Sequence, residues 1–243
     1  MKQISKPPFT IAGIVLAFMV ITGSALGGPA IKLVESGFDF GKTIQHVKVT
    51  HDFWIKSIGD QPLVITKVVP GCGCTEIPLR DSVLAPGDST VLSITFSTKS
   101  FARKITKRPY LLTNISDQRV QLVIKAEVVI EPEQMAPLKI TPFEIDVSAS
   151  GRAEHRHAVF LIENQGDQDV RLKVIDEPEE LVETTLPAVV KSGETAEGIV
   201  VVKKEAAGME FEKSVTIELN DANHTRYSLP VSRLNPSSAG GGK

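Results

Sequence analysis

The sequence predicts an all-β protein of two tandem immunoglobulin-like β-sandwich domains that follow an N-terminal signal or anchor segment. From Ile31 onward, short runs rich in Val, Ile, Leu, Thr and Phe alternate with Gly, Pro, Asp, Asn and Ser. No segment after the N-terminal one keeps a helical period. The same turn motifs also appear twice. We therefore expect domains at 31–131 and 138–234, joined by a short, stiff linker at 132–137.

The N-terminus (residues 1–27) predicts a targeting segment. Two lysines precede an uncharged apolar run at 9–25, and Ala25-Leu26-Gly27 supplies the small residues of a signal-peptidase site. The run is also close to the ~18 residues that a membrane-spanning helix needs. A cleaved signal peptide and a membrane anchor at 9–26 are both open. Either one places the rest of the chain outside the cytoplasm, in the periplasm or secreted.

The first domain is predicted to contain six strands with alternating faces. Leu92, Ile94 and Phe96, for example, share one face of their strand, as expected when only that face is buried. Pro109 interrupts the fifth strand and lacks a backbone donor, so we expect a sheet edge or a bulge there. The predicted strands are Phe38–Phe40, Val47–Ser57, Leu63–Val69, Thr90–Ser97, Ile105–Thr113 and Gln118–Val129.

The second domain repeats the turns of the first. The recurring motifs are Ile58-Gly59-Asp60-Gln61 with Gln165-Gly166-Asp167-Gln168, Pro86-Gly87-Asp88 with Ser192-Gly193-Glu194, and Thr113-Asn114 with Leu219-Asn220. All three pairs are separated by about 106 residues, which is the size of one immunoglobulin-like sandwich. The second copy has acidic residues at 176–180 where the first has Cys-Gly-Cys. A sandwich of this type therefore does not need the cysteines in order to close.

Charge is divided unevenly between the halves. Residues 31–131 carry 13 Lys+Arg against 10 Asp+Glu, whereas residues 132–234 carry 11 against 19. Nucleic acid is an unsuitable partner for an exported protein with an acidic second half. The tail, 235–243, is rich in Gly and Ser and is expected to be flexible. A basic cluster is either a solvated surface or a partner patch, and its members are Lys99, Arg103, Lys104, Lys107 and Arg108.

Several motifs in order resemble the bacterial DUF1573 family, a domain of unknown function related to the immunoglobulin-like ASH and Hydin-type modules. The motifs are Phe38-Asp39-Phe40-Gly41, Val49-Thr50-His51, Ile58 to Ile65, Cys72-Gly73-Cys74-Thr75 and Leu84-Ala85-Pro86-Gly87. The resemblance covers residues 36–129 closely and the second half only through the repeat. It implies an exported β-sandwich that binds or spaces other macromolecules, and it supplies no catalytic residues.

Cys72 and Cys74 are the two cysteines of the chain, and they allow three interpretations. Outside the cytoplasm they can form a structural disulfide, since Gly73 lets the backbone bend. A bond between residues so close in sequence would be readily reduced, which opens a role in thiol exchange. Two thiolates also suit Cu(I) or Zn(II), with His46 and His51 as further candidate ligands. A structural zinc site would need four protein ligands, and a second ligand pair is missing from the sequence.

An exposed apolar surface is the other candidate site. Phe53 and Ile55 share the core face of their strand, which places Trp54 on the outer face together with its counterpart Leu161 and with Val159. Such residues mark an interface, or they are covered by a neighbouring strand or domain.

The sequence contains no nucleophile elbow, phosphate loop or zinc-protease motif, so we predict no catalytic residues and no cofactor. The leading hypothesis is an exported, non-enzymatic module that binds an unknown envelope protein, for example by strand addition, and that contacts the membrane only through an uncleaved N-terminal segment. The alternative is a thiol-redox or copper-handling protein that uses the Cys-Gly-Cys loop.

Overall fold

The computed structural model describes residues 27–115, 119–148 and 156–234. In these residues the repeating structure is β-strand, apart from two 3-10 turns at Pro132–Met135 and Lys204–Ala206. The prediction of an all-β protein is therefore confirmed. No helix within this described part is long and apolar enough to cross a membrane. The predicted signal or anchor segment and the tail lie outside the described residues, apart from Gly27 at the end of the segment.

The first half of the chain forms two small sheets with the strand orders β1-β3-β7-β5 and β10-β9-β4-β6. Its strands are β1 (Ile31–Leu33), β2 (Gly37–Ile44), β3 (Lys48–Ser57), β4 (Leu63–Val69), β5 (Thr75–Glu76), β6 (Val83–Leu84), β7 (Ser89–Ser97), β8 (Lys104–Lys107), β9 (Tyr110–Thr113), β10 (Val120–Gln121) and β11 (Val123–Val129).

The second half contributes a four-stranded sheet of order β12-β14-β18-β16. Its strands are β12 (Leu138–Thr141), β13 (Ile145–Asp146), β14 (His157–Asn164), β15 (Val170–Asp176), β16 (Val182–Thr185), β17 (Val189–Val190), β18 (Thr195–Val202), β19 (Phe211–Leu219) and β20 (Arg226–Arg233).

A larger sheet runs through both halves in the order β17-β15-β19-β20-β2-β11-β8, with β13 also paired to β20. The two halves meet where β2 lies parallel to β20, with Lys42 opposite Tyr227. Gly41 makes this approach possible, because a Cβ atom there would lie 2.3 Å from the carbonyl oxygen of Arg226. Its φ of +64° also favours glycine.

Two separate clusters of buried apolar side chains fill the molecule. One cluster contains first-half residues, including Phe53, and the other is built mainly from the second half, including Phe160. Both phenylalanines are fully buried. Burying such side chains contributes roughly 1.5–3 kcal/mol each, so the cores account for most of the stability of the fold. The two-core arrangement agrees with the predicted domain division, which remains a prediction.

Two predicted strands are each divided in the structure. The predicted strand at Ile105–Thr113 is β8 and β9 separated by Pro109, and the one ending at Val129 is β10 and β11 separated by Leu122. β8 pairs with β11, whereas β9 pairs with β4 and β10. β8 and β11 belong to the larger sheet, whereas β9 and β10 belong to the β10-β9-β4-β6 sheet. Both chain segments therefore pass from one sheet to the other, at Pro109 and at Leu122. Pro109 has no N–H to donate and accepts a hydrogen bond from the Leu122 amide, which fits a break in the ladder.

The predicted linker packs against the second half. Its first four residues form the 3-10 turn, in which Met135 is buried. The hydroxyl of Tyr227 donates a hydrogen bond of 2.6 Å to the carbonyl oxygen of Met135. Burial of this hydroxyl raises the pKa of Tyr227 well above its ordinary value, so the group stays protonated and able to donate. The segment is thus fixed in place by contacts with β20.

Candidate functional site: the disulfide loop and the exposed sheet faces

The Cys-Gly-Cys loop connects β4 to the short strand β5. Cys72 and Cys74 are joined by a disulfide bond, with their Cα atoms 5.2 Å apart. Gly71 opens the loop with a φ of +80°, a conformation that glycine adopts without steric cost. A Cβ atom added at Gly73 would meet nothing within 4 Å, so the tip of the loop faces open space.

The two sulfur atoms have different surroundings. Cys74 is buried and packs in the first-half core, whereas Cys72 is partly exposed. The hydroxyl oxygen of Thr75 lies 3.3 Å from Cys72 Sγ and 4.0 Å from Cys74 Sγ. Sulfur in a disulfide only accepts, so the Thr75 hydroxyl is the donor. Lys99 donates a hydrogen bond of 3.0 Å from Nζ to the carbonyl oxygen of Gly73, which places a cation beside the loop.

The disulfide contributes little to stability by restricting the unfolded chain. The loop-closure relation gives about 1.5 kcal/mol for a loop of three residues, against about 3 kcal/mol for one of 15 residues. The second half also makes the corresponding connection between β15 and β16 without cysteines. Structural stabilisation is therefore a weak explanation for this bond.

The histidines proposed as additional metal ligands have other surroundings. His46 lies in the turn between β2 and β3 with a φ of +64°. His51 is buried, and both of its ring nitrogens lie beside carboxylates. No group of three or more His, Cys, Asp or Glu side chains suited to a metal ion occurs within the described ranges. Copper binding stays an untested prediction.

His51 lies at the junction of the two halves. Its Nε2 atom is 2.7 Å from Glu35 Oε1 in the first half, and its Nδ1 atom is 3.0 Å from Asp176 Oδ2 in the second. The second contact is an ion pair when the imidazole is protonated. The ring stacks on Phe38 with centroids 3.7 Å apart. Burial lowers the pKa of His51, but Asp176 and Glu35 together outweigh burial and raise the pKa above its ordinary value.

Further polar contacts join β3 to the second half. Lys213 reaches both carboxylate oxygens of Asp52 at 3.0 Å. The Thr50 amide donates a hydrogen bond of 2.8 Å to Ser214 Oγ. Buried or partly buried polar pairs of this kind fix the alignment of two surfaces more than they stabilise them. The halves therefore meet in one defined arrangement, in which Thr50 and Asp52 of β3 contact Ser214 and Lys213 of β19.

The predicted interface residues are exposed in two different sheets. Trp54 is 48 % exposed in the β1-β3-β7-β5 sheet, as the alternation predicted. Val159 and Leu161 are each 44 % exposed in the β12-β14-β18-β16 sheet. The structure thus brings Val159 and Leu161 together and places Trp54 on a separate surface.

The basic cluster is spread along β8 and the segment before it. Lys107 Nζ lies 4.8 Å from the centre of the Phe101 ring, and Lys104 lies 4.0 Å from Glu127. Lys99 contacts the disulfide loop instead. These side chains therefore serve different local contacts, and the pattern agrees better with a solvated surface than with a single patch.

Sequence reasoning did not identify the junction around His51. The strand alternation could have indicated it, because His51 lies two and four residues before the core residues Phe53 and Ile55 on β3. Its side chain should therefore point to the same buried face. An inward histidine needs partners for its nitrogens. Those partners are 16 and 125 positions away in sequence, and no local pattern connects them to His51.

The fold and site define an all-β protein with a disulfide loop on its first half. Residues 31–128 match the family model described as "Protein of unknown function (DUF1573)". The predicted resemblance is therefore confirmed over the first half. No functionally curated protein shows significant similarity to the chain.

Several solved structures are similar at low identity. A protein of unknown function from Porphyromonas gingivalis W83 is 10 % identical, with 84 % of this chain and 98 % of that chain covered and a TM-score of 0.35. The ASH/PapD-like domain 7 of human CEP192 is 7 % identical over 51 % of this chain and 99 % of its own, with a TM-score of 0.35. The YadV chaperone is 12 % identical over 83 % and 98 %, with a TM-score of 0.30. All three TM-scores lie below 0.5, so these likenesses carry no functional argument.

Proposed function

We propose that the protein is an exported, non-enzymatic module that binds another protein in the cell envelope. The observation that supports this proposal is a cluster of aliphatic side chains on the outer face of the β12-β14-β18-β16 sheet. We call this cluster the aliphatic face, and its members are Val159, Leu161, Ile199 and Val201. The proposed export rests on the N-terminal targeting segment.

The aliphatic face is continuous because of the strand register. Val159 lies directly opposite Ile199, and Val201 lies opposite His157 on the same outer side. Val159, Leu161 and Val201 are 44 %, 44 % and 38 % exposed, while Ile199 is partly buried between them. Isolated exposed aliphatic residues are normal on a protein surface, but neighbouring ones on paired strands form a patch of the kind that binds partners.

Polar side chains surround the aliphatic face. Glu197 lies opposite Leu161, and Glu183 on β16 lies opposite Val201. Lys139 on β12 forms an ion pair of 3.4 Å with Glu163. An apolar centre with a charged rim is the usual anatomy of a protein interface. The central side chains are thus expected to supply the affinity, and the rim to influence partner choice.

Site-specific photocrosslinking tests this proposal. A photoreactive amino acid replaces Leu161 in one version of the full chain and the exposed Lys125, on β11, in the control version. We expect one protein partner to be captured at position 161 and not at 125, and its purified form to bind the wild-type chain. Leu161→Glu should weaken that binding at least tenfold without changing the melting temperature. Capture at both positions alike, or unchanged binding by Leu161→Glu, would contradict the proposal.

A further inference from the structure

We propose that the Cys72–Cys74 disulfide is a thiol–disulfide exchange site that oxidises a dithiol substrate. The reaction is stoichiometric, with one protein disulfide consumed for each substrate disulfide formed, so it is compatible with a non-enzymatic binding module and does not depend on the proposed binding. The site consists of the two cysteines, the Thr75 hydroxyl and the Lys99 ammonium group. These groups are brought together by the loop between β4 and β5 and by the turn that follows β7.

Access to the bond is one-sided. Cys72 is partly exposed at a loop tip whose neighbour Gly73 faces open space, whereas Cys74 is 6 % exposed. Cys72 is therefore the more accessible of the two cysteines for an incoming thiolate. Exchange rates depend on which sulfur is accessible and on how well the departing thiolate is stabilised. The exposure difference assigns Cys72 as the attacked sulfur and Cys74 as the departing one.

The Thr75 hydroxyl lies beside both sulfur atoms, and the Lys99 ammonium group lies beside the loop backbone between them. The Thr75 hydroxyl is within 3.3 Å of one sulfur and 4.0 Å of the other, so it can donate to either thiolate. Thr75 is itself buried, and its backbone pairs with Phe96 in β7, which keeps its position fixed. Lys99 Nζ is 3.0 Å from the Gly73 carbonyl oxygen. A nearby hydroxyl donor and a cation favour the thiolate form of cysteine.

The reaction balances with a dithiol as the second reactant. A substrate thiolate attacks Cys72 Sγ, which forms a mixed disulfide and breaks the Cys72–Cys74 bond. The Cys74 thiolate then takes up a proton. The second substrate thiolate attacks the substrate sulfur of the mixed disulfide, which releases the Cys72 thiolate and forms the substrate disulfide. The Cys72 thiolate takes up a second proton, so two electrons and two protons pass from the dithiol to the protein, and Cys72 and Cys74 end as thiols.

The first test uses the wild-type full chain in glutathione redox buffers, with the thiols trapped and counted by mass. We expect Cys72 and Cys74 to be mostly reduced at millimolar reduced glutathione while the fold persists, because exposed exchanging disulfides resist reduction less than structural ones. A reduced dithiol peptide should also be oxidised with one disulfide formed per protein disulfide consumed. A bond that stays oxidised in these buffers until the chain is unfolded would overturn the proposal.

The second test separates the two sulfurs. In Cys74→Ser the remaining Cys72 should form a mixed disulfide with oxidised glutathione at least tenfold faster than Cys74 does in Cys72→Ser. Thr75→Val should slow reduction of the wild-type disulfide about tenfold, and Thr75→Ser should restore the rate. Equal rates for both single-cysteine variants in folded protein would overturn the assignment of roles. The binding measured at the aliphatic face should be the same in all these variants.

Discussion

One turn in each half of the molecule is closed by the same pair of backbone hydrogen bonds. In the first half, the Ser57 amide donates to the Asp88 carbonyl, and the Gly87 amide donates to the Ser57 carbonyl. In the second half, the Asn164 amide donates to the Glu194 carbonyl, and the Gly193 amide donates to the Asn164 carbonyl. Gly87 and Gly193 both have positive φ. Equal geometry about 106 residues apart supports the repeat that the sequence predicts.

The difference between the halves lies in what is added to this shared frame. After β4 the first half has the disulfide loop, whereas after β15 the second half has a proline-containing acidic connection that leads to β16. Both connections lead to a short strand of the next sheet, although one has a disulfide and the other has none. The residues of these connections are therefore not dictated by the strands that they join. The comparison teaches that the strands shared by the two halves do not need the disulfide loop, so the loop is the feature of the first half on which a separate role is proposed.

The largest effect is expected from matched changes in the two cores. Phe53→Ala and Phe160→Ala each remove a fully buried ring from an equivalent strand. Each variant should lose about 3–5 kcal/mol of unfolding free energy, because a large cavity replaces packed atoms. Chemical denaturation measures both losses. A loss below about 1 kcal/mol in only one variant would show that the two cores are not equivalent.

A smaller effect is expected at the junction, and it depends on pH. The pKa of His51 is raised in the folded protein, so its charged form contributes stability that is fully present below about pH 6.5, the unfolded pKa. That contribution is lost as the pH rises through the higher folded pKa. His51→Gln should therefore cost about 2 kcal/mol at pH 5.5 and less at pH 8.5.

His157, which is exposed on β14, provides the control for this prediction. His157→Gln removes an exposed side chain and should therefore leave the unfolding free energy close to the wild-type value. If His51→Gln kept the wild-type pH dependence, the junction would not depend on the protonation of His51.

The sequence was sufficient for features that depend on local pattern. The alternation around Phe53 correctly placed Trp54 outside, and the turn residues at Gly87 and Gly193 marked matching positions. It was insufficient where distant segments meet. The pairing of β2 with β20 and the contact of His51 with Asp176 join residues far apart in the chain, so no window of sequence contains both members. The sheet change at Pro109 was only partly predicted, because proline shows that a ladder is interrupted but not where the chain goes next.

The most direct test of the central claim is the stability of the reduced chain. The protein is refolded under a reductant that keeps Cys72 and Cys74 as thiols, and its unfolding free energy is compared with that of the oxidised form. The shared frame predicts an unchanged fold and a loss of about 1.5 kcal/mol or less. Loss of cooperative unfolding in the reduced chain would contradict the claim and would make the disulfide a structural requirement of the first half.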